Sequence, residues 1–298
     1  MTKEKHTVTE EGMEPQLDHD AALMRLRNGE LVLEHSMEVV PGQVVGVVLE
    51  SVPEAGTADP FDPGRGGSGA VQLCAGGMLD IPGQGRCFRV VGGGYRPVAG
   101  GWNTRVFFLE ALCSLTLAAG RTICRFTKQG FSLARVTLSD KGAAGLREDA
   151  SGPVIEELVA GSLEVGMVQR YLLPDDLDAL RALLTSLCLE QRFDLVVTTG
   201  GTGLTPRDIA PEATLGVIDR RLPGIEQAML AASLAATPHG ALSRAVAGTL
   251  GQSLIINLPG SPKAVRENLA PVLPALQHAL KKLKGDPSDC ADAATTFR

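Results

Sequence analysis

Two textures of hydrophobic patterning divide the chain. Between residues 20 and 125 the apolar positions come in short β-type runs cut by glycine. They are the Val-rich stretch Glu38–Val52, then AVQLC (70–74), RCFRVV (86–91) and TRVFFLEAL from Thr104. Thirteen glycines fall within the 38 positions 64–101, so turns punctuate the runs at short spacing. This pattern predicts a smaller β-rich, Gly-rich domain over 20–130, with a barrel as one arrangement. Val106–Ala119 fits either a strand or a helix, and its periodicity does not separate the two.

From Phe131 strands and helices alternate. FSLARVTLS (131–139), EVGMVQRYLL (164–173), DLVVTT (194–199) and SLIINLP (253–259) read as strands, the third apolar enough to be central in a sheet. Ser151 is placed to cap a helix with Pro153 in its first turn and Glu156 and Glu157 near its positive end. Asp175–Glu190 is amphipathic, with Leu177, Leu180, Leu184, Leu187 and Cys188 on one face. Pro223–Ala236 reads as a helix, and Ser261-Pro262 opens a long one ending near Lys284. Alternation of this kind predicts an α/β domain over 131–285: a mostly parallel sheet with helices on both faces. Such folds take ligands at the carboxyl ends of the strands.

Composition narrows the picture. The chain has 298 residues, 44% of them in the set AVILMFWYC and 21% charged, a globular balance with enough length for two domains. The first 20 residues hold two lysines against six carboxylates and no apolar run. Residues 1–19 therefore read as a flexible acidic tail rather than a signal or transit peptide, and 286–298 as a second tail. Val106–Ala119 carries Glu110 and is too short to span a bilayer, so no membrane partner is expected and the predicted location is cytoplasmic. A net charge of -6 and scarce aromatics (8 Phe, 2 Tyr, 1 Trp) argue against nucleic acid as a partner. The six cysteines form no C-x-x-C pair and none has a His at ligand spacing, which points to reduced, structural thiols and no zinc site.

The unusual residues cluster where strands end. Thr198-Thr-Gly-Gly-Thr-Gly203 follows the third strand. Its glycines, Gly200, Gly201 and Gly203, let the backbone approach a ligand, and Thr199 and Thr202 add hydroxyls. The same string also fits a plain tight turn. Asp208 follows in Pro206-Arg207-Asp208, and Asp175-Asp176 follows the second strand. Neighbouring strand ends can bring two carboxylates together beside a phosphate-cradling loop, as a Mg²⁺-nucleotide site requires. Helix capping by Asp175 or Asp176 is the simpler alternative. Asn257-Leu-Pro259-Gly260-Ser261-Pro-Lys263 runs from a strand into a helix start, where free N–H groups favour anions. Ser139-Asp140 ends the first strand in a similar way. A literal G-x-G-x-x-G at Gly64, Gly66 and Gly69 lacks a preceding strand and a following helix, and reads as a loop.

Together these motifs resemble the molybdopterin adenylyltransferases (MogA, MoaB and gephyrin-type G-domains). The matching stretches are VTLSDKGAAGLREDASGP (136–153), LLPDD (172–176), DLVVTTGGTGLTPRDIAPEAT (194–214), RRLPGIEQAM (220–229), ALSRAVAG (241–248) and LIINLPGSPKAVRENL (254–269). They keep the family order over about half the chain. The molybdenum insertases that share the fold typically have a TSGG-type loop instead. The resemblance implies a three-layer αβα MogA-like domain that uses Mg²⁺-ATP to adenylylate molybdopterin, releasing pyrophosphate. It implies a homotrimer, and an insertase partner that consumes the product. The family's two catalytic, metal-binding aspartates carry over to Asp175 and Asp208, in Leu-Pro-Asp-Asp and Pro-Arg-Asp. A non-catalytic molybdopterin-binding scaffold is the alternative implied by the same resemblance. The N-terminal extension is similar to the MOSC sulfur-carrier module, although no ligating residue stands out among Cys74, Cys87, Cys113 and Cys124. An unassigned β domain for interaction or oligomerisation is the reading preferred for it.

Overall fold

A computed structural model describes residues 24–27, 29–49, 73–97 and 103–287. The acidic tail, the Gly64–Gly69 motif and the C-terminal residues from 288 lie outside these.

The first half is built of strands: β1 (Met24–Arg27), β2 (Glu30–Leu33), β3 (Met37–Val39), β4 (Val44–Leu49), β5 (Gly77–Ile81), β6 (Gly85–Pro97), β7 (Asn103–Ala111), β8 (Leu115–Leu117), β9 (Gly120–Ile123) and β10 (Arg125–Lys128). Eight of them form one sheet in the order β10-β5-β6-β7-β4-β1-β2-β9, while β3 pairs with β8. The two strands at the sheet's edges, β10 and β9, are separated in the chain by Cys124 alone. The sheet therefore curls enough to bring its two edges together at Cys124, in a barrel-like way, with β10 paired to β5 and β9 to β2. Alternate side chains point inward, and Phe88, Phe107, Leu79 and Leu109 fill the interior. Val106–Ala119 holds no helix: it takes in the end of β7 and the whole of β8, with residues 112–114 between them. Its aromatic and β-branched residues suit a pleated surface, and β7 is paired on both sides, with β4 and β6.

Gln129 and Gly130 alone separate β10 from β11 (Phe131–Leu138). Gly130 has φ +63°, and a Cβ there would lie 2.4 Å from the Glu164 carbonyl oxygen, so only glycine fits. The second half continues with α1 (Asp140–Ala143), α2 (Gly152–Ala160), β12 (Val165–Leu173), α3 (Leu177–Thr185), β13 (Leu195–Thr199), α4 (Ala210–Leu215), β14 (Arg220–Arg221), α5 (Pro223–Ala236), β15 (Ala247–Leu250), β16 (Ser253–Leu258), α6 (Pro262–Leu269) and α7 (Leu273–Leu283). A π-helical turn, Ser186–Glu190, extends α3, and a 3₁₀ turn, Pro238–Leu242, follows α5.

The six strands run in the order β12-β11-β13-β16-β15-β14. The first four are parallel, and β15 is antiparallel to both its neighbours. Odd positions of β13 (Leu195, Val197) face the core under α2, α5, α6 and α7, while Val196 faces that under α3 and α4. This is the three-layer αβα arrangement. Two local expectations are corrected. The helix from Ser261 breaks into α6 and α7 at Pro271, which has no N–H to donate to a carbonyl one turn back, while Ala270 keeps helical angles (φ -50°, ψ -47°). Ser151 does not cap α2. The Asp149 carboxylate accepts the Gly152 N–H (2.9 Å) in its place.

The two halves touch. Ala75 N donates to Gln191 O (2.8 Å) and Arg105 Nη2 to Glu190 O (2.5 Å). Lys128 Nζ of β10 reaches the buried Asp194 carboxylate (2.7 Å), which Lys284 beyond α7 also meets. No helix among the described residues is long and apolar enough to cross a membrane.

Candidate functional site

The loops at the carboxyl ends of β11, β12, β13 and β16 converge. After β13 the backbone turns left-handed at Gly200 (φ +95°) and Gly201 (φ +63°). A Cβ on Gly200 would come within 2.4 Å of Leu138 O, and one on Gly260 within 3.2 Å of the Gly200 Cα. The loops after β11, β13 and β16 thus pack backbone against backbone, which only glycine permits.

The polar side chains divide into scaffold and rim. Thr199 Oγ1 donates to Pro259 O (2.8 Å), and Asn257 Nδ2 bridges Thr198 Oγ1 and Thr214 Oγ1, both at 2.9 Å. Thr198, Thr199, Thr202 and Asn257 are buried. Thr199 and Asn257, expected as ligand contacts, therefore cross-link the loops. Ser139 and Ser261 act as helix caps, accepting from Gly142 N (3.0 Å) and Ala264 N (3.2 Å). Lys263 is largely exposed and lies 3.7 Å from Glu267 one turn along α6, not over the glycine loop.

On the rim sit three carboxylates and one guanidinium. Asp140 and Asp175 exchange hydrogen bonds: Asp175 N donates to Asp140 Oδ1 (3.0 Å) and Asp140 N to Asp175 Oδ2 (3.3 Å). Arg207 pairs with Asp140 through two nitrogens, Nε at 3.0 Å. Asp208 Oδ2 accepts from Thr205 N (2.8 Å) and Thr205 Oγ1 (2.7 Å). Asp176 caps α3 through Ala179 N (2.8 Å), which leaves Asp175 for the rim.

The glycine loop lies between the two aspartates named from sequence. A Cβ on Gly201 would be 3.4 Å from Asp175 Oδ1, and one on Gly203 would be 2.9 Å from Asp208 Oδ2. Burial, with the charges of Asp140 and Asp208 nearby, raises the Asp175 carboxyl above the usual range, against an opposing pull from Arg207. Burial opposes ionisation of Asp208 too, but its hydrogen bonds from Thr205 and Gly203 and the charge of Arg244 hold it below that range. Two hard oxygen donors beside a glycine-rich loop suit a Mg²⁺-type cation, which takes one or two carboxylates and completes its shell with water and phosphate oxygens. Among the described residues no three His, Cys, Asp or Glu side chains are arranged to hold a metal by themselves.

Sequence reasoning did not single out Arg244, although it lies in the stretch ALSRAVAG (241–248). Its Nε donates to Gly203 O and its Nη2 to Asp208 O, both at 2.7 Å. It also missed the buried Arg135 on β11, which pairs with Asp149 and Glu156 under the same strand ends. A separate cavity of about 390 Å³ lies behind Arg244, lined by Glu212, Leu215, Arg221, Glu226 and Met229 among others. None of the candidate site residues named from sequence lines it.

Residues 134–278 match the family model MoCF_biosynth, described as "Probable molybdopterin binding domain". The molybdopterin adenylyltransferase of Helicobacter pylori (strain J99 / ATCC 700824) is 41% identical over 152 residues, covering 51% of this chain and 86% of that protein. The chain belongs to the MoCF_biosynth family. Gephyrin of Dictyostelium discoideum is 42% identical over 161 residues, so the chain matches 51% of its own length but spans only 22% of gephyrin's. Among solved structures, the molybdopterin biosynthesis enzyme MoaB of Thermus thermophilus is 44% identical, covers 53% of this chain and 99% of that one, and has a TM-score of 0.49. The MoCF_biosynth match begins within β11 and ends within α7. It takes in Asp175, Asp208 and Arg244 and leaves β1–β10 outside.

Proposed function

We propose that this chain acts in molybdenum cofactor biosynthesis by adenylylating molybdopterin with ATP. The observation that carries the reading is the placement of Asp175 and Asp208 on either side of the Gly200–Gly203 turn. The phosphate of molybdopterin, already ionised near neutral pH, attacks the α-phosphorus of ATP. A P–O bond to the pterin phosphate forms, the bond to the bridging oxygen breaks, and pyrophosphate leaves. No strong general base is required. The chain's task is to position two anions, and such positioning lowers barriers by up to about 7–11 kcal/mol. Amides of the left-handed turn and the N-terminus of α6 receive phosphate oxygens. Asp175 and Asp208 would hold Mg²⁺, which when bound offsets charge on the phosphates and on departing pyrophosphate. Assembly as a homotrimer in the cytoplasm and delivery of product to an insertase belong to the same reading.

The test is a product assay with purified chain, molybdopterin and Mg²⁺-ATP. Adenylylated molybdopterin forms with the native chain. Asp175→Asn and Asp208→Asn each lower turnover by about 10²–10³-fold with an unchanged circular dichroism spectrum. Near-native turnover in both variants sinks the assignment. Tight pterin binding without product supports the scaffold alternative.

A further inference from the structure

Two arginines tie the segment Thr202–Asp208 to the rest of the fold. Arg207 pairs with Asp140 on the rim. Arg244, on the segment between the 3₁₀ turn and β15, approaches from behind. Its backbone N–H donates to Thr202 O (3.0 Å), its Nε to Gly203 O (2.7 Å) and its Nη2 to Asp208 O (2.7 Å). The Glu212 carboxylate in the first turn of α4 meets the remaining Nη1. One planar group thus grips both ends of the 203–208 turn. Within that turn Asp208 N donates to Thr205 O (2.9 Å), and the Asp208 carboxylate takes both Thr205 donors. The distance between the Gly203 and Asp208 carbonyls is therefore set by the fixed spacing of guanidinium nitrogens, with Glu212 fixing the orientation of the group. A lysine cannot replace this, because an ammonium is a point donor on a flexible stem.

We infer that Arg244 is a positioning residue for the proposed adenylyl transfer, holding Asp208 in register with the Gly200–Gly203 turn without touching substrate. The inference rests on the proposed function for its kinetic part and on geometry alone for its structural part. A residue that only stabilised the fold would, on replacement, lower melting temperature and substrate affinity together. A positioning residue affects the chemical step, where a displacement of about 1 Å costs on the order of 10²-fold.

The experiment uses the full chain with Arg244→Lys and Arg244→Gln. It measures kcat, KM for molybdopterin and for ATP, the half-saturating Mg²⁺ concentration, melting temperature, and hydrogen exchange of the Thr205 and Asp208 amides. The expected result is a fall in kcat of about 10²-fold in both variants. KM for molybdopterin stays within about twofold while the Mg²⁺ requirement rises, and the two amides exchange about tenfold faster, the equivalent of one lost hydrogen bond. Free guanidinium at millimolar concentration restores part of kcat to Arg244→Gln. Native kcat with native exchange overturns the inference. So does a parallel loss of melting temperature and of affinity for both substrates without guanidinium rescue. If the native chain makes no product, the proposed function fails independently. The exchange data then decide the clamp: faster exchange upholds it, and unchanged exchange overturns it.

Discussion

The barrel and the αβα unit bury their interiors differently. Among the described residues every buried polar or charged side chain lies between Ser132 and Asn268, and the interior of β1–β10 is apolar throughout. Burying a polar group is costly unless it is bonded, so a chain keeps such groups where they hold a shape that apolar packing does not specify. In the αβα unit they gather at both ends of the sheet. Thr198, Thr199, Thr214 and Asn257 knit the carboxyl-end loops, and Asp194 and Ser132 lie at the opposite end. The contrast teaches that the second half is organised around fixing loops, while the described strands of the first half are organised around packing.

Substitutions can break that contrast or sharpen it. The largest effect on stability is expected at Asp194. Its carboxylate is almost fully buried between Lys128 and Lys284 and accepts from Ser132 N (2.6 Å) and Ser132 Oγ (2.9 Å). Removing it leaves an uncompensated lysine, and Asp194→Ala costs about 3–5 kcal/mol in urea unfolding. Burial works against the charged form, but the two lysines outweigh it and hold the carboxyl below the usual range. A depressed folded-state value means the stabilisation is present above the unfolded-state pKa and fades as pH falls through the folded one. The native and Asp194→Ala chains therefore converge in stability in acid. A stability difference that persists at low pH would show that packing, not charge, is at work.

Next is Phe88→Ala in the barrel interior, expected to cost a comparable or slightly smaller amount, about 3–4 kcal/mol, for the cavity left behind. Its kcat for adenylyl transfer, measured below the melting transition, stays native. A fall in kcat would show that the packed half reaches the loops. The smallest effect is in pH dependence. Asp175 carries the raised carboxyl of the pair, so its ionisation sets the acid limb of kcat. Asp140→Asn removes a like charge and frees Arg207 beside it, both of which favour the ionised form. The acid limb then moves to lower pH. A limb that stays in place assigns it to a group other than Asp175.

How much was legible in the sequence follows from the same contrast. Pro223–Ala236 is a helix with the bounds the sequence predicts, because a proline opens it and Thr237 ends it in extended backbone. The four parallel strands were readable too, being short runs rich in Leu, Val and Ile that end at Ser139, Pro174, Gly200 and Pro259. What escaped depended on tertiary context. β15 pairs with β16 across the left-handed Gly251, a hairpin that the mixed run AVAGTL does not announce. β9 and β10 are short and rich in Arg and Lys, and are strands because β2 and β5 offer them open edges. At the site, the hydrogen bonds of several named residues depend on elements far away in the chain. Nothing local distinguishes a threonine that faces a ligand from Thr199, whose hydroxyl donates to Pro259 O just after β16. Arg244 is the same lesson from the other side, since its three carbonyl partners belong to a loop some forty residues earlier.

The junction of the two halves limits modularity. β10 completes one sheet, and two residues later β11 begins the next, through a left-handed glycine pressed against Glu164 O. β10, the edge strand of the first sheet, also carries Lys128 to the buried Asp194 at the foot of the αβα sheet. A recombination at this point that brought in a different N-terminal module would have to supply a strand ending in phase, a lysine at position 128 and a glycine at position 130. The halves are mutually fitted at this seam, and the first half is part of the foundation on which the second sheet starts.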